Sequence, residues 1–312
     1  MNTSTSILHQ PPLSLGNGVK EEAVVINNDI FTSIFHYLLK EDRNKIAQPN
    51  LIIGENGSGK TTLLKRMYFS IENSGKQLKP VFIDGKSLFS TDDIWKCCSL
   101  QDDSCRDVLL IDNIQYYFER TDNTEQYNLR GKLNKAGAPI LIATSDKVLP
   151  AFTDYESAFF EGFKISYIRP LAVTDYSALV GHETDMSRLE NLMSYLPKTL
   201  RSVQIAAKII EDSASPETDI MLLIDYFSFY YQAKYDGYVV QIQRILSAIA
   251  GAEDGVSLQD IRQITGQGNG KISPYLKLMA DRKIIDKTSK TQRGGIYTIA
   301  DPLFKFWLHT NV

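Results

Sequence analysis

Cysteine is scarce in this 312-residue chain, and long apolar runs are missing. The three cysteines, Cys97, Cys98 and Cys105, are odd in number and irregularly spaced, which argues against a disulfide framework or a zinc site and predicts free thiols. The longest apolar stretches are strand-sized, well short of the ~18 residues that a membrane helix needs. The N-terminus lacks the basic start and apolar core of a secretory signal. These absences predict a cytoplasmic protein that does not span a membrane.

The composition is that of a folded protein with an uneven distribution of charge. With 43% hydrophobic residues and a formal net charge of −3, the chain has enough apolar surface to bury, and its length fits two or three domains. Residues 240–312 nevertheless carry a net charge of +4, and the rest of the chain carries −7. This asymmetry predicts a separate C-terminal unit with its own partner surface.

Strand-sized apolar runs alternate with helical patterns in the first half of the chain and stop after Pro170. Such alternation predicts an α/β fold with a parallel sheet covered on both faces. The second half reads as helices, followed by three short helices and a hairpin, which is the pattern of a winged helix. The aromatic residues from Tyr226 to Tyr238 are interpreted as helix packing rather than as a base-stacking site. The predicted strands are Asn50–Ile53, Pro80–Ile83, Val108–Ile111, Pro139–Ala143 and Lys164–Ile168.

A phosphate-binding motif lies between the first predicted strand and the next helix. The segment beginning at Gly54 fits G-x-x-x-x-G-K-[ST], in which glycines let successive backbone N–H groups face phosphates. Lys60 would supply charge to the β- and γ-phosphates, and the Thr61 hydroxyl would coordinate Mg²⁺. The motif predicts an ATP or ADP site, and its binding residues are Gly54, Glu55, Asn56, Gly57, Ser58, Gly59, Lys60, Thr61 and Thr62.

Asp112 ends the third predicted strand. A second Mg²⁺-directing carboxylate belongs at this position in a P-loop NTPase. The alternative is that Asp112 merely caps the helix that follows.

Several segments occur in the order found in one family of ATPases. The segments 109–115, 140–145 and 196–201 resemble the Walker B, sensor 1 and sensor 2 regions of AAA+ initiator-type ATPases. The segment 295–307 resembles the end of the winged helix in the archaeal-type ATPase family, which is related to origin-recognition initiators and STAND switch ATPases. The resemblance covers about residues 29 to 312. It implies a P-loop NTPase domain of AAA+ type at 29–170, a helical lid at 171–236 and a winged helix at 237–312, preceded by an N-terminal arm at 1–28.

The resemblance also implies roles for particular residues. Thr144 or Ser145 would sense the γ-phosphate, and Arg201 would reach it from the lid. Each role has a simpler alternative, since Thr144 and Ser145 can cap the next helix and Arg201 can be a surface residue.

Two departures from the family pattern favour slow chemistry. Asn113 follows Asp112 where a carboxylate usually orients the attacking water, and an amide cannot take a proton from that water. Glu119 is the nearest substitute in sequence. No arginine lies between Gly131 and Ile168, so the stretch after sensor 1 lacks the arginine finger of oligomeric AAA+ rings, and Arg169 is the nearest candidate. Both absences favour a nucleotide-gated switch over a processive motor.

The predicted winged helix has few groups suited to reading base edges, but its basic residues suit phosphates. These residues are Lys277, Lys287, Lys290 and Arg293. Three alternatives stay open for this module: binding of duplex DNA, docking of a protein or autoinhibition, and a purely structural role.

The sequence therefore favours a Mg-ATP-dependent switch of AAA+/STAND type with slow hydrolysis and a possible nucleotide-dependent oligomer. The alternative is a DNA-binding initiator or mobile-element ATPase in which the winged helix contacts DNA. A third interpretation, a kinase for a small acceptor, is weakened because no acceptor-binding segment lies beside the P-loop.

Overall fold

The structure is a computed structural model that describes residues 27–40, 45–98, 105–181, 183–252, 254–291 and 294–312. Most of the N-terminal arm predicted at 1–28 therefore lies outside the described residues. The described residues form two compact units. The first takes in those of Met1–His182 together with Lys198–Gln204, and the second comprises those of Glu183–Pro197 and Ile205–Val312. The division into four segments predicted from the sequence stays a prediction.

The first unit is an α/β layer structure. Its elements are α1 (Asn28–Lys40), β1 (Asn50–Ile53), α2 (Lys60–Glu72), β2 (Leu78–Asp84), α3 (Thr91–Lys96), β3 (Arg106–Asp112), α4 (Gln115–Arg120), α5 (Asn123–Leu133), β4 (Ile140–Ser145), α6 (Pro150–Thr153), β5 (Lys164–Tyr167) and α7 (Val173–Tyr176). The five strands are parallel and lie in the order β2-β3-β4-β1-β5. The predicted α/β class and the five predicted strands are confirmed.

Alternate residues of the central strands enter two separate cores, one on each face of the sheet. Leu109 and Ile111 of β3 join one core, and Val108 and Leu110 join the other. Every residue of β3 is buried, and each of its apolar side chains from Val108 to Ile111 contributes roughly 1.5–3 kcal/mol, so apolar burial fixes this strand at the centre. The register then sets the carboxyl ends of neighbouring strands side by side, with Asp84 opposite Asp112.

The second unit contains helices and a small antiparallel sheet in the order β6-β8-β7. Helices α8 (Met186–Met193) and α9 (Leu200–Asp212) come first in the chain, and the first turn of α9 lies in the first unit. The elements that follow are α10 (Pro216–Asp236), α11 (Val240–Ala250), β6 (Val256–Ser257), α12 (Leu258–Thr265), α13 (Asn269–Asp281), β7 (Ile285–Thr291), β8 (Gly294–Ile299) and α14 (Pro302–Asn311). Three helices followed by the β7–β8 hairpin form the predicted winged helix. None of the described helices is long and apolar enough to cross a bilayer.

The aromatic residues of α10 divide into buried and exposed side chains. Tyr231 is buried and stacks on Phe304 of α14, with ring centroids 5.3 Å apart. Phe229 is 88% exposed, and Tyr226 and Tyr230 are exposed as well. The packing predicted for this cluster is therefore right for Tyr231 and wrong for the three exposed rings, because one helix face alone meets α14.

Candidate functional site

The loop from β1 to α2 is held in a conformation that only glycine adopts easily. Gly57 and Gly59 have φ values of 81° and 98°, in the left-handed region that disfavours a side chain. Gly59 is also the N-cap of α2 and offers no side-chain cap to the helix. Backbone N–H groups at such a helix start bind anions. The local geometry therefore suits phosphate groups, as the motif predicts.

Lys60 is held inside this loop. The side chain is 6% exposed, and its Nζ donates to the carbonyl oxygens of Gly54 (2.7 Å) and Glu55 (2.8 Å). Burial lowers the pKa of Lys60, while the negative charges of Asp112, Asp146 and Glu55 act in the opposite direction. The ammonium group is thus held inside the loop, within reach of the charge of three carboxylates.

Thr61 and Asp112 meet although they lie on different elements. The Thr61 hydroxyl donates to Asp112 Oδ2 at 2.6 Å. A hydroxyl oxygen and a carboxylate oxygen at the end of a strand form the donor set that Mg²⁺ takes beside nucleotide phosphates. The residues present therefore fit a magnesium ion.

Thr144 orients this carboxylate. It is fully buried in β4, and its hydroxyl donates to Asp112 Oδ1 at 2.5 Å while accepting from the Asn113 N–H at 3.0 Å. Ser145 is equally buried and donates to the carbonyl of Lys147 at 2.6 Å. In this structure both hydroxyls bind protein groups, so a γ-phosphate sensor at either position stays a prediction.

Asn113 has a left-handed backbone with φ 58°. Its carbonyl oxygen lies so close to Gly85 that a Cβ added there would come within 2.3 Å of it. The predicted substitute carboxylate, Glu119, forms an ion pair with Lys147 at 2.5 Å. The structure therefore brings Asn113 to the end of β3 but commits Glu119 elsewhere.

Arg201 lies against the P-loop in the same compact unit. Its N–H donates to the Gly57 carbonyl at 3.0 Å, and its Cβ would be 2.8 Å from a Cβ added to Gly57. Thr199 starts the helix by accepting the N–H of Ser202 at 3.2 Å. The side chain of Arg201 is exposed, so the backbone contact is shown and its contact with phosphate stays a prediction.

A cavity of about 220 Å³ lies beside the start of the P-loop. Arg169, the predicted finger candidate, lines it and makes two hydrogen bonds to Asp175, at 2.7 and 3.1 Å. Asp146, which no sequence motif singled out, also lines it. Its position in the sequence could have pointed to it, since it directly follows a buried parallel strand and ligands bind at the carboxyl ends of such strands. The lining residues are Ile53, Gly54, Glu55, Ser58, Asp146, Tyr167, Ile168, Arg169, Pro170, Lys198 and Thr199.

The basic residues predicted for the winged helix are described in part. Lys277 is exposed on α13. Lys287 is exposed on β7, with its Nζ 5.8 Å from the centre of the Tyr297 ring. The side chain of Lys290 and all of Arg293 lie outside the described residues.

Three solved structures are similar to the chain over nearly its whole length. The ORC1 protein of Aeropyrum pernix in complex with DNA has a TM-score of 0.52 at 12% identity, covering 94% of this chain and 93% of that one. A Walker-type ATPase of Pyrococcus abyssi has a TM-score of 0.52 at 14% identity, covering 91% and 97%. Drosophila ORC bound to DNA has a TM-score of 0.51 at 12% identity, covering 98% and 96%.

No protein-family model and no curated protein matches the chain. At such low identities, the similarity to solved structures establishes the fold. The chain has the AAA+-type P-loop fold with a C-terminal winged helix that the sequence predicted.

Proposed function

We propose that this protein binds Mg-ATP at the P-loop and hydrolyses it slowly. One observation carries the proposal: Thr61, which follows Lys60 on α2, donates to Asp112 at the end of β3, and the charge of Asp112 acts on the Lys60 ammonium group. Convergence of a P-loop lysine, a hydroxyl and a strand-end carboxylate serves phosphate and metal binding together. A structural role alone does not require all three groups.

Each residue has a task in this proposal. The loop N–H groups and Lys60 hold the phosphates, and Thr61 and Asp112 hold the metal. Thr144 fixes the orientation of Asp112 through the bond to Oδ1. When bound, Mg²⁺ neutralises charge on the phosphate oxygens. Because Asn113 cannot accept a proton from water, no base follows Asp112 directly, and hydrolysis is expected to be slow.

Slow hydrolysis suits a switch of AAA+/STAND type. The Gly57–Arg201 backbone bond joins the phosphate loop directly to the start of α9. A change in the phosphate loop between ATP-bound and ADP-bound states would therefore act on the first turn of that helix. The proposal includes a cytoplasmic protein whose assembly state depends on nucleotide, which light scattering in ADP and in ATP would test.

A second function, binding of duplex DNA, is favoured by exposed Lys277 and Lys287 in the basic C-terminal segment. Two of the solved structures with this fold are bound to DNA. A protein partner docked on the same winged helix is the alternative.

Calorimetric titration with Mg-ATP tests the main proposal. Lys60→Ala should abolish tight binding because it removes charge from the phosphate site, and it should not unfold the protein because Lys60 belongs to neither apolar core. Lys65→Ala, a change of the same kind further along α2, is the matched control and should bind like the wild type. Wild-type affinity in a folded Lys60→Ala protein would refute the proposed site.

A further inference from the structure

A P-loop ATPase with Asn113 after its metal-binding aspartate needs another group to orient the attacking water. The carboxylates at the carboxyl edge of the sheet are the candidates, and the structure separates them by their partners. Glu119 is paired with Lys147. Asp84 is exposed, and its Oδ1 accepts the N–H of Lys86 at 3.0 Å. This hydrogen bond caps a short helical turn. Glu119 is thus bound to Lys147, and Asp84 is bound to the turn that follows β2.

Asp146 differs from both. Its Oδ1 atom is buried and has no hydrogen-bond partner among the residues that the structure describes. An ionised carboxylate oxygen in such a position costs free energy unless a ligand or water supplies a donor. Asp146 also lines the cavity that opens at Gly54, Glu55 and Ser58. Asp146 thus forms part of the wall of a cavity with room for a water molecule, while its Oδ1 atom is covered by protein in this structure.

The strand before Asp146 fixes its place next to the phosphates. Ser145 is paired with Ile53 of β1, and the Ser145 carbonyl accepts the Gly54 N–H at 3.1 Å. The residue after Ser145 is thus held beside the first residues of the P-loop. Its charge is also close enough to act on the ammonium group of Lys60. Two independent features, backbone register and electrostatics, place Asp146 at the phosphate end of the site.

We propose that Asp146 is the catalytic carboxylate that replaces the missing one after Asp112. Asp146 accepts a hydrogen bond from the attacking water and takes its proton as the water oxygen bonds to the γ-phosphorus. The bond from that phosphorus to the β,γ-bridging oxygen breaks, and ADP leaves with the electron pair. The proton then passes to phosphate or solvent, which balances the hydrolysis of ATP. This inference rests on the proposed ATP site.

The carboxylate also has an electrostatic cost. Its negative charge opposes the triphosphate, so neutralising it should favour ATP binding while slowing hydrolysis. A purely structural residue would not raise affinity and lower turnover together. A residue that holds the metal ion would instead lose Mg-ATP affinity when neutralised.

The experiment compares full-length Asp146→Asn with Glu119→Gln and Asp84→Asn, all three of which exchange a carboxylate for an amide of the same shape. Mg-ATP affinity is measured by calorimetry and hydrolysis by single-turnover phosphate release. Asp146→Asn should bind Mg-ATP at least as tightly as the wild type and hydrolyse it about 10²-fold more slowly, the lower end of the range for this kind of group. Asp146→Glu, which keeps the carboxylate, should recover part of the rate and guards against a folding defect in the amide variant.

Wild-type turnover in Asp146→Asn, or weaker Mg-ATP binding by it, would overturn the inference. Loss of turnover in Glu119→Gln or Asp84→Asn alone would do the same. A wild-type protein that binds Mg-ATP without any single-turnover hydrolysis would also refute it and leave the binding site intact. Failure of the wild type to bind Mg-ATP would refute the proposed function itself, which calorimetry detects separately.

Discussion

Asn113 combines a chemical and a conformational peculiarity in one residue. Its amide cannot act as a base, and its φ of 58° lies in a region that asparagine tolerates better than most residues. At this position the chain thus lacks the carboxylate that the family pattern has, but its asparagine is compatible with the turn after β3. Restoring the carboxylate should have opposite effects on chemistry and on stability.

Asn113→Glu should raise steady-state phosphate release, by about 10²-fold at most, because it adds a water-orienting carboxylate beside Asp112. It should also lower the free energy of unfolding by about 1 kcal/mol, since a longer side chain is disfavoured at positive φ. Phosphate release and urea unfolding measure the two effects. Unchanged release in a folded variant would contradict this prediction and mean that a second carboxylate adds nothing to Asp146 or that another step limits turnover.

Residue types in the site were predictable where a motif fixes them, and side-chain direction was not. Lys60, Thr61 and Asp112 follow from the P-loop pattern and from the end of an apolar strand. The bond from Thr144 to Asp112 depends on strand order, which pairs β3 with β4, and no local pattern encodes it. Asp146 has one local signal, its position directly after an apolar strand, but its unpaired oxygen is a property of the packed site.

At the scale of elements, the contact between the P-loop and α9 depends on a glycine. A Cβ at Gly57 would meet Arg201, whereas a Cβ at Gly137, which also has positive φ, would meet nothing within 4 Å. Gly57→Ala should therefore weaken Mg-ATP binding, because the loop must shift away from α9. Gly137→Ala should cost about 1 kcal/mol of stability and leave the affinity unchanged. Calorimetry and urea unfolding of the pair check this, and equal affinities would contradict it.

Helices α8 and α10 are joined by a buried ion pair. Arg188 donates to both oxygens of Asp219, at 2.6 and 2.8 Å, and Asp219 is 1% exposed. Hydrogen bonding to Arg188 is the largest cause that holds the pKa of Asp219 below its ordinary value of 3.8; a hydrogen bond from Ser213 acts in the same direction, and burial opposes both.

Asp219→Asn should lower the free energy of unfolding by about 3 kcal/mol at neutral pH, because it leaves Arg188 without its counter-charge. Since the folded pKa is depressed, the advantage of the wild type is complete above pH 3.8 and is lost as the pH falls through the folded pKa. Urea unfolding at several pH values measures it. Asp212→Asn, which removes an exposed partner of Lys208, is the control and should lower the free energy of unfolding far less.

Strands and the winged-helix pattern were predictable because their signals are local. Continuous apolar runs such as Val108–Ile111 specify a strand buried on both faces. The surface of α10 was not predictable, because Tyr231 and Phe229 are both aromatic and only the position of α14 decides which is buried. Periodicity identifies a helix, but its neighbours decide which face is covered.

At the scale of the whole molecule, the basic C-terminal segment should bind duplex DNA weakly and without sequence preference. About four phosphate contacts would give a slope of log K against log salt near −3 to −4. The full chain is the right material, since Tyr231 outside the winged helix packs on Phe304 inside it. Replacing Lys277 and Lys287 by Glu should remove binding at moderate salt in a fluorescence anisotropy titration.

The control for this titration replaces Lys76 and Lys135, exposed lysines of the first unit, by Glu. It changes the net charge by the same amount and should leave DNA affinity nearly unchanged. Equal losses in the two variants would indicate a nonspecific charge effect. No binding by the wild type even at ~50 mM salt would favour a protein partner for the winged helix.

The closeness of Gly85 to the Asn113 carbonyl has a consequence for the history of the sequence. Any side chain at position 85 would collide with the backbone of the turn after β3, so position 85 can change only if that turn changes as well. A homologue that acquires a larger residue at 85 must first have rebuilt that turn. Homologues that keep this arrangement of the site should therefore have glycine at 85 and, at 113, a residue that tolerates a positive φ.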